Sequence, residues 1–276
     1  MTTTTNQQSE DRKATEDVVE LLVDGGVATV VLNRPDAMNA VDLALKERLI
    51  AVLQQVADDP DVRCVVLTGR GRAFCVGQDL KEHVASLMRG DEALGATVVD
   101  HYNRIAVLLA TMNKPVVAAL NGVTAGAGAS MAFACDFRLL VEDAGINLAF
   151  AGIALSCDTG SSWSLPRLVG TAKAKELLLL PRTVPSDECR SLGLVTEVVP
   201  ADRFEERVAE LARMLADGPT LAYGSIRRAV ATNAGQDLDA ALAYEAELMT
   251  LTGASADHRA AVDAFLAKEK PVFEGR

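Results

Sequence analysis

PVVAALNGVTAGAGASMAFACDFRLLVE, residues 115 to 142, passes from one strand to the next through a glycine-rich turn and an apolar helix. PVVAALNG (115–122) is a short, β-branched apolar run bounded by turn residues, and the chain turns strand-like again near FRLLVE (137–142). A strand that returns after a helical crossover lies parallel to the first, and strands buried on both faces read as continuous apolar runs rather than as alternating ones. The same order precedes it, with CVVLTG (64–69) as a buried strand and a helix-compatible stretch around 96–112. Further upstream, VVELLVDGGVATVVLNRP (18–35) sets two β-rich runs around Asp24-Gly25-Gly26. That composition predicts an antiparallel hairpin, because glycine accepts positive φ. After Asp42, a candidate N-cap, the spacing of Leu45, Leu49, Val52, Leu53 and Val56 predicts a helix that DDPD ends. The fold class is therefore α/β with parallel strands.

Beyond about residue 201 the strands stop. ADRFEERVAELARMLADGP, LAYGSIRRAVATNAG, the stretch from Leu238 to Leu251, and ADHRAAVDAFLAKEK predict successive amphipathic helices. The expected organisation is a tail over 1–17, an α/β core over 18–200 and a helical C-terminal region over 201–276, its apolar faces available to the core or to another subunit.

The composition, 49% hydrophobic and 24% charged over 276 residues, suits a chain that buries a substantial core. The opening MTTTTNQQSEDRKATED has no apolar core of a signal peptide and reads as disordered. No run approaches the length of a membrane span, so the expected location is the cytoplasm. A net charge of −11 disfavours a phosphate backbone as partner. The five cysteines, Cys64, Cys75, Cys135, Cys157 and Cys189, show neither metal-ligand spacing nor a disulfide framework, and reduced thiols are expected.

Two loops follow a strand and precede a helix: RGRAFCVGQDL (70–80) and ALNGVTAGAGAS (119–130). Turns of this kind aim backbone N–H groups at whatever lies above the sheet, and glycine lets a ligand approach the main chain. Either is also compatible with an ordinary tight turn. A third segment, ALSCDTGSSW (154–163), holds Asp158, the only formally charged side chain between Asp143 and Arg167. A carboxylate among apolar neighbours has a raised pKa and is a stronger base. The competing reading is an N-cap for the helix that begins near Gly160.

NRPDAMNAV (33–41), AFCVGQDL (73–80), ALNGVTAGAGASMAFACDFRL (119–139) and GIALSCDTGSSWSLPRLVG (152–170) resemble, in order and spacing, the four signature blocks of the crotonase (enoyl-CoA hydratase/isomerase) superfamily. The resemblance implies a spiral of ββα units with a C-terminal helical region that assembles homotrimers, often paired into homohexamers. It also implies an acyl-CoA thioester substrate and no prosthetic group, coenzyme A arriving as part of the substrate. By the same comparison the backbone N–H groups of Val76 and Ala127, which stand where Ala and Gly are more usual, form an oxyanion hole. Ala37, Met38 and Ala40 match a segment that runs along coenzyme A, and Gln78, Asp79 and Leu80 match the loop at its adenine side. Phe273 and Arg276 resemble positions that reach the nucleotide, in some members from a neighbouring subunit. Arg34, Arg70, Arg72 and Lys81 are candidate local cations for an anionic coenzyme, beside the ordinary reading of single basic residues as solvated surface.

The departure from the family pattern concerns its two hydratase glutamates, whose positions hold Ser130 and Phe150. Neither side chain is a general acid or base at neutral pH. Asp158 matches a position where isomerase and dehalogenase branches carry a functional aspartate, and the surrounding residues look most like the 1,2-epoxyphenylacetyl-CoA isomerase branch. Ser130, Phe150 and Trp163 are expected to line the acyl pocket. The resulting expectation is an enoyl-CoA isomerase in which Asp158 shuttles a proton. Two alternatives stand beside it: a hydrolase or dehalogenase with Asp158 as nucleophile, for which His101 is a candidate helper, and a non-catalytic member that binds acyl-CoA or a partner.

Overall fold

Gly25 and Gly26 adopt φ of +52° and +81°, as a two-residue hairpin turn requires. They join β1 (Val19–Asp24) to β2 (Val27–Leu32) with Asp24 opposite Val27. This computed structural model describes residues 18–90 and 93–276; the expected tail over 1–17 lies outside the described residues. Asp42 caps α1 (Leu43–Asp58), its side chain accepting from Leu45 N at 2.9 Å. The helix buries Leu45, Leu49, Val52, Leu53 and Val56. β3 (Cys64–Gly69) then adds in parallel beside β2.

Each later turn of the chain adds to two sheets at once. β4 (Ala73–Cys75), α2 (Leu80–Arg89), α3 (Ala93–Thr97) and α4 (Asn103–Thr111) lead to β5 (Val116–Leu120); β6 (Val123–Ala125) and α5 (Ala127–Phe133) lead to β7 (Phe137–Val141). β8 (Gly145–Asn147), α6 (Ser161–Val169), α7 (Thr171–Leu179), β9 (Thr183–Pro185) and α8 (Ser186–Leu192) lead to β10 (Glu197–Val199). The longer strands form a six-stranded sheet in the order β1-β2-β3-β5-β7-β10, and the short ones a four-stranded sheet in the order β4-β6-β8-β9. This repetition of strand, short strand and helix is the crotonase-like spiral of ββα units.

Alternation along the central strands explains their unbroken apolar sequences. Val65 and Leu67 of β3, with Val116 and Ala118 of β5, face the core that contains α1 and α4. Cys64 and Val66, with Val117 and Ala119, face a second core closed by Phe204, Leu211 and Leu215 of α9 (Phe204–Ala216). The chain ends in α10 (Thr220–Asn233), α11 (Leu238–Gly253) and α12 (Ala256–Ala267).

The structure differs from the sequence expectation in two places. The second sheet is built from three-residue strands, which are too short to show a period of two. The expected single helix over 96–112 is interrupted by a π-helical turn at Val98–Tyr102 between α3 and α4.

Main-chain contact fixes how the units stack. A Cβ added to Gly128 in α5 would lie 2.3 Å from Cys75 O, and one added to Gly122 would lie 2.2 Å from Arg72 O. Backbone cannot retreat from such contacts as a flexible side chain can. Gly128→Ala is expected to destabilise the protein by about 1–3 kcal/mol, read as a lowered midpoint in urea unfolding.

Candidate active site

The block 33–42 is stitched to the loop that follows β4. Arg34 pairs with Asp42 Oδ2 and Asp79 Oδ2, each at 3.0 Å, and also donates to Ala40 O. Asn39 is fully buried with φ of +55°; its Nδ2 donates to Arg70 O at 3.0 Å and Ala73 O at 2.8 Å, while its Oδ1 accepts from Arg34 N at 2.8 Å. Val41 N donates to Gly77 O at 2.8 Å, and Asp79 N donates to Val41 O at 3.1 Å. The path of Val76 and Gly77 is thus set by hydrogen bonds on both sides.

This turn lies against the second glycine turn. Gly77 (φ +86°) has so little space that an added Cβ would sit 3.0 Å from Ala127 N. Ala127 is the first residue of α5, preceded by Gly126 at φ +51° and ψ −128°. An N–H at that helical position has no intrahelical acceptor. Val76 directly follows the last residue of β4. The structure therefore brings the two turns carrying Val76 and Ala127 together.

One turn along α5, Ser130 is fully buried. Its Oγ donates to Gly126 O at 3.1 Å and shares a second, short hydrogen bond with Ser161 Oγ. Ser161 N in turn donates to Asp158 O at 2.9 Å. Between them Thr159 and Gly160 both have positive φ, +52° and +79°. A β-branched residue in that region is strained and persists only where its surroundings hold it; Thr159 is buried.

The Asp158 carboxylate is not a helix cap. The N-cap of α6 is Gly160, with no side-chain cap hydrogen bond. Asp158 Oδ1 instead accepts from Thr159 Oγ1 at 2.8 Å. Burial pushes its pKa above the ordinary carboxylate value, opposed by the Thr159 hydroxyl, by its own main chain and by the positive charge of Lys46. A half-buried carboxylate with a raised pKa is a stronger base than an exposed one.

The sequence profile of the enoyl-CoA hydratase/isomerase family matches residues 23–276. The chain belongs to this family. It is 38% identical over 92% of its length to the 1,2-epoxyphenylacetyl-CoA isomerase of Escherichia coli, covering 97% of that protein. It is 34% identical to 4-chlorobenzoyl coenzyme A dehalogenase-2 of an Arthrobacter species over 80% of each chain. Among solved structures, a protein from Mycobacterium abscessus described as an enoyl-CoA hydratase/isomerase superposes with a TM-score of 0.89 at 42% identity, over 94% of this chain and 100% of that one.

As a member of the enoyl-CoA hydratase/isomerase family the chain handles acyl-CoA thioesters, and the remaining candidate residues are placed as follows. Ala37 and Met38 end a short 3-10 turn (Pro35–Ala37), and Ala40 is buried beside them. Leu80 is exposed. Asp79 is spent on structure: it caps α2 through Lys81 N at 2.9 Å and Glu82 N at 3.3 Å, besides pairing with Arg34. Gln78 points inward to Tyr102 and Glu82. The side chains of Gln78 and Asp79 are thus both engaged within the protein.

Phe150 belongs to the main core, whereas Trp163 is 44% exposed with the Arg167 guanidinium 4.0 Å from its ring centroid. Of the three residues expected to line an acyl pocket, Ser130 and Phe150 are thus buried and Trp163 is partly exposed. His101 is tied to Thr97, with Nδ1 3.1 Å from Oγ1.

Phe273 and Arg276 lie at the other end of the sheet. Arg63, just before β3, donates to Phe273 O at 2.9 Å, and Asp257 accepts from Glu274 N at 2.7 Å and Gly275 N at 2.9 Å. β3 spans about 20 Å between that end and the loop over 70–80, so these residues do not join the site of their own chain. Arg70 pairs with Glu20 on β1.

A groove of about 1570 Å³ lies elsewhere. It runs between the sheet and α9, past Leu21, Val66, Thr68, Asn121, Phe204 and Arg213. Among the described residues no group of acidic, His and Cys side chains is arranged to hold a metal ion, and no helix is long and apolar enough to cross a membrane.

The residues that sequence reasoning missed are Lys46, Glu82 and Tyr102, which surround Gln78. Their only advance signal was Lys46 standing one position from the apolar stripe of α1.

The raised pKa of Asp158 has a consequence for stability. A carboxylate whose folded pKa lies above its unfolded one destabilises the fold while ionised, and that cost disappears as pH falls through the raised value. Asp158→Asn is therefore expected to raise Tm at neutral pH, with the advantage shrinking on acidification, as measured by thermal unfolding across that range.

Proposed function

We propose that this enzyme is an enoyl-CoA isomerase, shifting a double bond or opening an epoxide ring next to a CoA thioester by a one-carboxylate proton shuttle. The observation that carries the reading is Asp158, a half-buried carboxylate with a raised pKa that is not spent on capping a helix. The 38% identity to a 1,2-epoxyphenylacetyl-CoA isomerase supports the same class and favours an aromatic-derived acyl group.

In this mechanism ionised Asp158 takes a proton from a carbon of the acyl group, and the C–H electron pair moves into the conjugated system, leaving negative charge on the thioester oxygen. The N–H groups of Val76 and Ala127 donate to that oxygen. Each such donor is worth roughly 10²–10³ in rate, because it is already oriented when the charge develops. Asp158 returns the proton at another carbon, the electron pair forms the new C–H bond, and no net proton is consumed. Ser130, hydrogen-bonded to Gly126 and Ser161, serves to hold Ala127 and Asp158 in relation to one another.

The helices beyond residue 200 are proposed to assemble homotrimers or homohexamers. Their exposed Ile226, Val230, Leu242, Met249 and Phe265 support that role.

Asp158→Asn is expected to lower kcat by about 10²–10⁴ while leaving acyl-CoA binding intact, read by steady-state kinetics and calorimetric titration; full activity would overturn the assignment. A hydrolase or dehalogenase route would instead leave a covalent adduct on Asp158, visible by mass spectrometry of the quenched enzyme. Ala127→Pro tests the donor separately. Proline is accepted at the first helical position, so the variant should keep its fold by circular dichroism, with a lowered Tm from the crowding against Gly77, and turnover should fall at least about 10²–10³-fold.

A further inference from the structure

Behind the Val76-Gly77 turn lies a closed polar ring that the proposed proton shuttle does not use. Lys46, on α1, is 2% exposed, and its Nζ lies 3.1 Å from Glu82 Oε1 on α2. Glu82 Oε1 also accepts from Gln78 Nε2 at 3.3 Å, and Gln78 Oε1 accepts from Tyr102 Oη at 2.5 Å. Tyr102, 1% exposed in the π-helical turn, closes the ring because Lys46 Nζ stands 5.4 Å from its ring centroid, within cation–π reach. The second oxygen of Glu82 accepts from Leu43 N at 2.7 Å, fastening α2 to the start of α1.

The two charges of this ring are not equally screened. Lys46 is enclosed, whereas the Glu82 side chain is 34% exposed. Water weakens the field of the exposed partner more than that of the buried one, so the interior experiences a residual positive potential. The loop that bears Asp158 packs onto the same helix as the ring: a Cβ on Gly160, two residues beyond Asp158, would lie 3.9 Å from Cβ of Ala106, one turn beyond Tyr102, and the charge of Lys46 reaches Asp158 from there. Of the other groups acting on Tyr102, Asp79 is paired with Arg34, and burial pushes the Cys75 thiol of β4 up to about 12, leaving it neutral. Cys157 precedes Asp158 in the chain.

We propose that Lys46, held by Glu82, Gln78 and Tyr102, is a positioning residue that places a buried positive charge beside Asp158 and stabilises its ionised, proton-accepting form. The ring also joins the two halves of the site. Gln78 is bridged to Val41 and lies two residues from Val76, so the groups that fix the donor turn are those that set the charge of the base. The inference rests on the isomerase reading for its catalytic meaning, but not for its physical content.

The test is to titrate the Asp158 carboxyl directly, by 13C NMR of protein labelled at the aspartate carboxyl carbons, with the resonance assigned by its loss in Asp158→Asn. Lys46→Met should move the titration to higher pH. Glu82→Gln, which keeps the shape of the ring and removes its negative charge, should move it to lower pH. Tyr102→Phe keeps the aromatic face and should leave it near the wild-type position. A merely structural role predicts shifts of the same sign for Lys46→Met and Glu82→Gln, or none; either result overturns the proposal. If Lys46→Met does not fold, the direction of the Glu82→Gln shift decides alone. Opposite shifts together with full turnover by Asp158→Asn would uphold the charge coupling and overturn the isomerase reading; an abolished turnover with no shifts would do the reverse.

Discussion

The contact between the α-carbon of Gly128 and the carbonyl of Cys75 is the constraint from which the rest of the site follows. With no room for a Cβ, α5 starts directly over the end of β4, so the first N–H of the helix falls beside the turn that carries Val76. The same helix carries Ser130 one turn on, and Ser130 reaches Ser161. The loop bearing Asp158 is therefore positioned from the same point as the two proposed main-chain donors. A small displacement of α5 would disturb all of them together, and errors in enzyme geometry of about 1 Å are expensive in rate.

Around this contact the interior is unusually polar for a chain with a large aliphatic core. Arg34, Asn39, Lys46, Asp79 and Tyr102 are each enclosed or half-enclosed, and each finds partners. A buried charge is tolerated only when paired and hydrogen-bonded, and removing one member leaves the other uncompensated. Networks of this kind add little net stability compared with an apolar core, but they admit few alternative arrangements. Among the described residues Asp158 has one side-chain hydrogen-bond donor, the neutral Thr159 hydroxyl, in a loop with two successive positive-φ residues. The cost of ionising Asp158 thus falls in this loop, which the close-packed glycine turns and the Ser130–Ser161 contact hold in place.

Much of this was legible in the chain itself because long elements advertise their period. The apolar runs of β3 and β5, the stripe of α1 and its Asp42 cap all appear where the residue pattern puts them, and Asp158 stood out as an isolated carboxylate. The second sheet did not announce itself, because Ala73–Cys75 and Val123–Ala125 are too short to alternate visibly and read as parts of loops. The π-helical turn was hidden because its residues are compatible with a continuous helix, and only the tertiary position of Tyr102 reveals the shift. Gln78 and Asp79 resembled binding residues by motif, yet their side chains face inward, since the partners that claim them, Tyr102 and Arg34, are distant in sequence. Lys46 sits one position from the apolar stripe of α1, and its burial depends on α2 and the π-helical turn, which are distant in sequence.

The proposed donors at Val76 and Ala127 are main-chain groups, held by neighbouring glycines at positive φ and not by their own side chains. Substitution at positions 76 or 127 by any residue with an N–H leaves that hydrogen-bonding capacity in place, while the side chain remains at liberty to vary. Mutational drift in such a scaffold can therefore exchange the acids, bases and apolar surfaces above a thioester without rebuilding the apparatus that polarises it. New chemistry then requires only a carboxylate gained at one loop or lost at another, a far shorter evolutionary path than the invention of a site.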